Sequence, residues 1–381
     1  MLTGEYPPDP GGVSDYTRRV AIELVKCGDE VHIFAPPIQQ GEQLQVQDNG
    51  VFVHRILDSF GPRGLAEVRR AVEALPNFTR IVVQYVPHAF GYRAMNVGLC
   101  AWLAAQRDHP IDVMFHEVAS PIAVGQPFKH NVLGLMHRAM AFVLVRAASR
   151  IFVSTTAWET LLRPMMPASK GIELLPLPTN MPTAVTPGAI GAVRARHASV
   201  AQPFLVGHFG GFPANLVPGL HGAVLATLAA DERIRVLLIG RGGEAFVEGL
   251  RRAEPYIAPR VSPIFGLDAQ AVVDHLAACD ALLQPYPDGL TTRRTSFMAG
   301  LALGVASVST RGPGTESIWE SSGAVLLADN HPHAIARAVQ SLIDRPELRR
   351  SLAARGRAFY CEHFGIDKII SKLRSTPSAR S

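Results

Sequence analysis

Cysteine is scarce: the 381 residues hold 4, Cys27, Cys100, Cys279 and Cys361. They are far apart, form no CxxC and have no histidine cluster beside them, which excludes a disulfide-stapled scaffold and a zinc finger. Thiols spaced in this way suit a reducing, cytoplasmic compartment. The start "MLTGEYPP" has neither the charged nor the apolar region of a secretory leader. Long hydrophobic runs are also missing. The most apolar helical stretch, about 132–145, is interrupted by His137 and Arg138 and is shorter than the roughly 20 residues that span a bilayer. No basic run carries interleaved aromatics, so the net charge of +5 points to small anions or an anionic membrane surface and not to nucleic acid. HExxH, an Asp-x-Asp pair beside a strand, GxSxG and the P-loop are all absent, and His331-Pro332-His333 reads as a turn. The expectation is therefore no cofactor and no metal.

What the chain does contain is the composition of a folded globular protein, 48% hydrophobic and 18% charged, with 33 glycines and 29 prolines marking turns. Its length exceeds one ordinary core and suits two domains. Short β-branched runs alternate with amphipathic segments, the pattern of a parallel sheet covered by helices. In the first half the strand candidates are "VHIFAP" (31–36), "VFVHRI" (51–56), "RIVVQYV" (80–86), "IDVMFHE" (111–117), "RIFVSTT" (150–156) and "IELLPL" (172–177). A second series follows: "PFLVGHFG" (203–210), "RVLLIG" (235–240), "RVSPIFG" (260–266), "ALLQPY" (281–286), "VASVST" (305–310) and "AVLLAD" (324–329). The expected fold is α/β, two doubly wound Rossmann-like domains facing a central cleft, where such sheets bind ligands. The first strand reads as only Met1-Leu2-Thr3, against a usual length of about 5 residues. Either the natural start lies a few residues upstream, which is the expectation, or the strand is short.

Four stretches carry candidate chemistry. In "PPDPGGVSDYTRRVAIEL", Gly11 and Gly12 precede a helix capped by Ser14, and a helix amino end favours an anion. In "VMFHEVAS", His116 ends a buried strand, where an imidazole can exchange a proton with a reacting hydroxyl near neutral pH. His88 ends the preceding strand in a similar way. The stretch "LLQPYPDGLTTRRTSFMAGLALG" (282–304) sets Thr291, Thr292, Arg293 and Arg294 just ahead of a helix. Hydroxyls, amides and guanidinium forks in that position suit phosphate oxygens. The loops "GHFGGFP" and "IGRGGE" place Gly210, Gly211 and Gly240 where a nucleotide can approach closely, without matching the dinucleotide fingerprint. Each stretch has a plainer reading as an ordinary turn, cap or packed residue.

Taken together, these pieces resemble glycosyltransferase family 4, whose members have the two-domain GT-B fold. The resemblance rests on "EYPPDPGGVSDYTRRVAIELVKCGDEVHIFAP", on "LAACDALLQPYPDGLTTRRTSFMAGLALGVASVSTRGPGTESI" and on "LRRSLAARGRAFYCEHF". It implies transfer of a sugar from a nucleotide-sugar donor, with retention at the anomeric carbon and no obligatory metal. By the same resemblance His116, Arg293 and Arg294 are the catalytic candidates. Gly11 and Gly12 would border the donor phosphates, and Thr291 to Arg294 would meet the diphosphate. Asp288, Ser296 and Glu316 would line the donor side. The chain departs from the family's usual pair of glutamates seven residues apart, offering Asp288 near the first and Ser296 or Ala299 near the second. It also lacks the usual Arg and Lys after the first strand of the second domain, so Arg293 and Arg294 are the candidates to restore that charge.

The resemblance divides the chain into an acceptor-side domain over 1–178, a linker over 179–202 and a donor-binding domain over 203–356. Residues 357–381 would be a helix crossing back to the first domain, followed by a tail. Expected partners are a nucleotide-sugar donor and a glycan, lipid-linked or polysaccharide-precursor acceptor of the cell envelope. The stretch "KHNVLGLMHRAMAFVLVRAASR" (129–150) leaves two readings open, an ordinary helix with a buried face or a helix resting on an anionic leaflet. The location is accordingly cytoplasmic, with peripheral contact at the inner face of the membrane under the second reading. Two rivals to the transferase remain: a nucleotide-sugar epimerase, and a non-catalytic protein that binds a nucleotide-sugar or a partner.

Overall fold

The computed structural model describes residues 1–9, 11–38, 45–76, 79–197 and 202–375. Parts of the expected linker (198–201) and tail (376–381) lie outside the described residues. The chain forms two compact units, Met1–Pro176 with Ile366–Ser381 and Leu177–Gly365. Both are α/β and Rossmann-like.

The strands of the first unit are β1 (Leu2–Thr3), β2 (His32–Ala35), β3 (Gln45–Asp48), β4 (Val51–Arg55), β5 (Ile81–Tyr85), β6 (Ile111–Phe115), β7 (Arg150–Val153) and β8 (Ile172–Leu174). Its helices are α1 (Gly12–Lys26), α2 (Pro62–Glu73), α3 (Val97–Ala105), α4 (Phe128–Ala147) and α5 (Thr156–Leu162). The sheet order is β3-β4-β2-β1-β5-β6-β7-β8, parallel except where β3 pairs antiparallel with β4. Each strand anticipated from a β-branched run is present, while β3 is an addition. Its hairpin turns on Asn49 and Gly50, at φ +52° and +87°, the left-handed pair that a two-residue turn between twisted strands requires.

The second unit holds α6 (Ala189–His197), β9 (Phe204–Phe209), α7 (Val217–Ala230), β10 (Ile234–Ile239), α8 (Glu244–Ala253), β11 (Val261–Ile264) and α9 (Ala269–Ala278). It continues with β12 (Ala281–Gln284), α10 (Thr295–Ala302), β13 (Ser307–Thr310), α11 (Ser317–Ser322), β14 (Leu326–Ala328), α12 (Pro332–Asp344) and α13 (Pro346–His363). All six strands run parallel in the order β11-β10-β9-β12-β13-β14. The chain builds outward from β9 in one direction and resumes on the other side at β12, so the topological switch lies between those two strands. Their carboxyl ends form the crevice where an open α/β sheet takes ligands. Helices pack both faces through apolar side chains such as Val206, Leu238 and Leu283 on one side and Leu237, Ile239 and Leu282 on the other.

The units divide at 176/177 and at 365/366, and α6 lies within the stretch read as a linker, with Arg194 held by Asp280 at 3.0 Å. Helix α13 stays in the second unit throughout, so the return to the first unit begins at 366, not 357. That return is α14 (Ile366–Arg374). Its last carbonyls are satisfied by guanidinium groups: Arg150 donates to Lys372 O (2.9 Å) and Leu373 O (2.6 Å), and Arg80 donates to Leu373 O (2.9 Å). Both arginines are balanced by Asp112, which is 1% exposed. A cation at a helix carboxyl end both fills orphan acceptors and opposes the helix dipole, which fixes α14 to this unit.

Candidate active site

The sequence candidates separate by unit: Gly11, Gly12 and His116 lie in the first, and the remainder lie in the second.

In the first unit, Gly11 is the extended N-cap of α1 and Gly12 its first residue. Ser14 is not the cap. It sits inside the first turn and donates its hydroxyl to Asp9 O at 2.7 Å. The anion at this helix end is the chain's own: the Glu5 carboxylate accepts from Ser14 N at 3.2 Å and from the Val13 amide. A β-carbon on Gly11 would stand 2.6 Å from Glu5 Oε2, so glycine is what lets the carboxylate reach the amides. Desolvation raises the Glu5 pKa, against the lowering effect of those amides. Gly12 faces open space.

His116 follows β6 and is 4% exposed. Its Nε2 lies 2.7 Å from Gln84 Oε1, and an amide oxygen only accepts, so the imidazole donates there and Nδ1 is a bare lone pair. Tyr16 of α1 packs edge-on at 5.1 Å. Burial pushes the imidazole down to about 3. The ring therefore stays uncharged through the neutral range, where the sequence led to a group poised to titrate. It can orient a hydroxyl; it is a weak base.

In the second unit a cavity of about 300 Å³ opens at the switch between β9 and β12. Gly210, Gly211, Arg293, Arg294 and Ser296 all line it. Gly210 follows β9, and Gly240 packs beneath it: a β-carbon on Gly240 would fall 2.0 Å from Gly210 O, and its φ is +139°. Nothing stands within 4 Å of where a Gly211 side chain would project, so the backbone there is open to a ligand. Arg294 is the N-cap of α10, which has no side-chain cap. Its guanidinium sits 4.5 Å over the Tyr286 ring, its buried Nε has no partner, and burial lowers its pKa. Arg293 is exposed. Ser296 Oγ lies 3.3 Å from Tyr286 OH.

Four candidates serve the loop and do not line the cavity. Glu316, 8% exposed, accepts from the Thr292 amide and from Thr292 Oγ1 at 3.1 Å, so both act as a latch on the 290–292 turn. Asp288 is exposed, and its carbonyl accepts from Gly314 N at 2.7 Å. Thr291 Oγ1 is buried without a partner. Sequence reasoning missed His208 and Gln284, both buried and both lining the cavity. Polar side chains at the ends of two otherwise apolar strands were the available signal. Among the described residues no group of three or more His, Cys, Asp or Glu could hold a metal ion, and no helix is long and apolar enough to cross a membrane.

Comparison with known proteins agrees with the fold. Residues 11–178 match the model of the glycosyl transferase 4-like domain. A GDP-mannose-dependent alpha-(1-6)-phosphatidylinositol dimannoside mannosyltransferase of Mycobacterium tuberculosis is 41% identical over 92 residues, an alignment spanning 24% of this chain and 23% of that one. Among solved structures, sucrose-phosphate synthase from Thermosynechococcus elongatus superposes with a TM-score of 0.72 at 17% identity, over 98% of this chain and 96% of its own. HepE of Anabaena, solved in complex with UDP, gives 0.68 at 17% identity over 98% and 97%. Residues 11–178 are thus similar to a glycosyl transferase 4-like domain, and the chain as a whole has the fold of these solved structures.

Proposed function

We propose that this protein is a retaining glycosyltransferase that moves a sugar from a nucleotide-sugar donor to a glycan or lipid-linked acceptor of the cell envelope, with no resident metal. The observation that carries the reading is the cavity at the β9–β12 switch, where open glycine backbone faces two adjacent arginines at the start of α10. A departing nucleoside diphosphate gathers negative charge on its terminal phosphate. Preorganised guanidinium and amide donors stabilise that charge more in the transition state than in the ground state. In this variant of the family pattern, Arg293 and Arg294 supply the charge that Arg and Lys after β9 otherwise bring.

Retention fits a same-face attack assisted by the leaving phosphate. The carboxylates of Glu5 and Glu316 are engaged by chain amides and so are poor candidates for a covalent nucleophile. His116, uncharged, would orient a hydroxyl of the substrate. The test is nucleoside diphosphate release from UDP-glucose, bound in another structure of HepE, and from GDP-mannose, named for the mycobacterial transferase, with and without a lipid extract as acceptor, in the presence of EDTA. Acceptor-dependent release and an unchanged anomeric configuration by NMR are expected. Release without acceptor points to an epimerase, and tight binding with no transfer to a non-catalytic binder.

A lipid-linked acceptor implies contact with the membrane, and α4 supports it. One face is buried through Gly134, His137, Met140, Ala141, Leu144 and Val145, yet the other exposes Phe128 (82%), Val132, Leu135 (60%) and Phe142 at helical spacing. Lys129 is exposed, and the Arg146 guanidinium stacks 3.5 Å over Phe142. An apolar stripe flanked by cations suits an anionic leaflet. The protein is expected to float with vesicles containing phosphatidylglycerol, and the Phe128→Ser/Leu135→Ser variant is expected to stay in the soluble fraction. Equal flotation of both proteins refutes this surface.

A further inference from the structure

The floor of the donor cavity is made of two polar side chains that the phosphate reading does not use. His208 is the penultimate residue of β9 at 1% exposure and Gln284 ends β12 at 0%. Both line the cavity. Their hydrogen-bonding states are fixed by main-chain carbonyls, which can only accept. His208 Nδ1 lies 2.9 Å from Leu283 O, so that nitrogen carries the proton and Nε2 keeps a bare lone pair. Gln284 Nε2 donates to Phe209 O at 2.9 Å, which turns its Oε1 the other way. Neither His208 Nε2 nor Gln284 Oε1 has a partner.

Two buried acceptors without donors beneath a pair of arginines form an unusual arrangement. Leaving such groups unmet costs about 1–3 kcal/mol each, so they are expected to find a partner. Phosphate oxygens cannot serve, because they too only accept. Burial holds the His208 ring near a pKa of about 4, so it does not become a donor at neutral pH in the unliganded protein.

We propose that His208 and Gln284 form a specificity floor that accepts hydrogen bonds from hydroxyl groups of the nucleotide-sugar, while the arginines above hold its diphosphate. The inference rests on the assignment of this cavity to the donor. It divides recognition into two chemistries: donors of the protein for the charged bridge, and acceptors of the protein for the neutral polyol. The hydroxyls can belong to the transferred sugar or to the ribose, and the same experiment separates these sources.

Calorimetric affinities are measured for UDP, GDP, UDP-glucose, GDP-mannose and the 2′-deoxy nucleoside diphosphates. The proteins are wild type, His208→Phe, Gln284→Met and Arg294→Ala, with thermal melts confirming that each is folded. Loss of about tenfold in nucleotide-sugar affinity in the floor variants, with the plain diphosphates unchanged, assigns the sugar hydroxyls. An equal loss for nucleotide-sugars and diphosphates, absent with the 2′-deoxy ligands, assigns the ribose. Unchanged affinity for every ligand in both floor variants, while Arg294→Ala weakens binding, overturns the floor and leaves the donor site standing. Binding by none of the ligands to the wild type overturns both.

Discussion

Replacing Arg294 with alanine, with Arg293 left in place, separates the two cations of the loop by their surroundings. Arg294 is half-buried over Tyr286 with an unpartnered Nε, and burial together with Arg293 already disfavours its charge. In the unliganded protein its removal forfeits a cation–π contact of about 0.5–1 kcal/mol and relieves a desolvated charge. Net stability should move by no more than about 1 kcal/mol, a melting shift of about 2–4 °C for a unit of this size. With a diphosphate bound the balance reverses, because a charge-assisted hydrogen bond contributes about 1.5–3 kcal/mol. UDP or GDP, whichever the wild type binds, should bind roughly 10- to 100-fold more weakly. Turnover should fall further, by about 100- to 1000-fold, since one donor to a developing anion contributes about 3–4 kcal/mol in the transition state. Arg294→Lys keeps a charge but loses the fork, and should recover only part of the affinity. Titration calorimetry and thermal melts read both halves. An alanine variant that melts normally and binds the diphosphate as well as the wild type does would refute the electrostatic reasoning.

Two further outcomes follow from contacts described above. Glu316→Ala removes the carboxylate that the amide and hydroxyl of Thr292 donate to, and should cost about 2–4 kcal/mol in urea unfolding; Glu316→Gln should cost less, and an unmoved midpoint in the alanine variant rules out the latch. His116 governs part of the acid sensitivity. Its folded value, about 3, lies below the ordinary 6.5, so between them the unfolded chain binds a proton that the folded chain refuses. The contribution is complete above pH 6.5 and is lost progressively as pH falls through about 3, with about 2 kcal/mol gone by pH 5. His116→Asn should therefore lose about 2 kcal/mol less than the wild type between pH 7 and pH 5, and parallel pH profiles would contradict it.

Much of the fold was legible because its signals are local. A parallel strand buried on both faces must be apolar and β-branched along its length, and runs such as "RVLLIG" and "RIVVQYV" announce β10 and β5 without outside help. The start of α10 was equally readable, since Pro285, Pro287 and Gly289 close the preceding turn and an Ala- and Leu-rich pattern opens behind Arg294. The hairpin at β3 was readable too: Asp48-Asn49-Gly50 is a turn signal, but the polar "QVQD" beside it obscured the strand. Ser14 and Thr292 have partners that escaped the sequence for a different reason. Each is the right residue type for a cap or a phosphate contact, and each is engaged by a group whose proximity residue type does not reveal, Asp9 O for one and the Glu316 carboxylate for the other.

The sequence by itself determined that this is a two-part α/β protein, that two arginines stand where a helix begins, and that glycines end the strands around them. Each of these follows from side-chain periodicity and turn chemistry within a few residues. Only the tertiary structure decided which polar groups remain for a ligand. Glu316 reaches Thr292 across 24 positions, and Gln284 meets the Phe209 carbonyl across 75, because parallel strands are joined by helical crossovers that bring distant segments side by side. A hydrogen bond depends on distance and angle in space, so whether a donor or acceptor is satisfied is settled after the chain has folded.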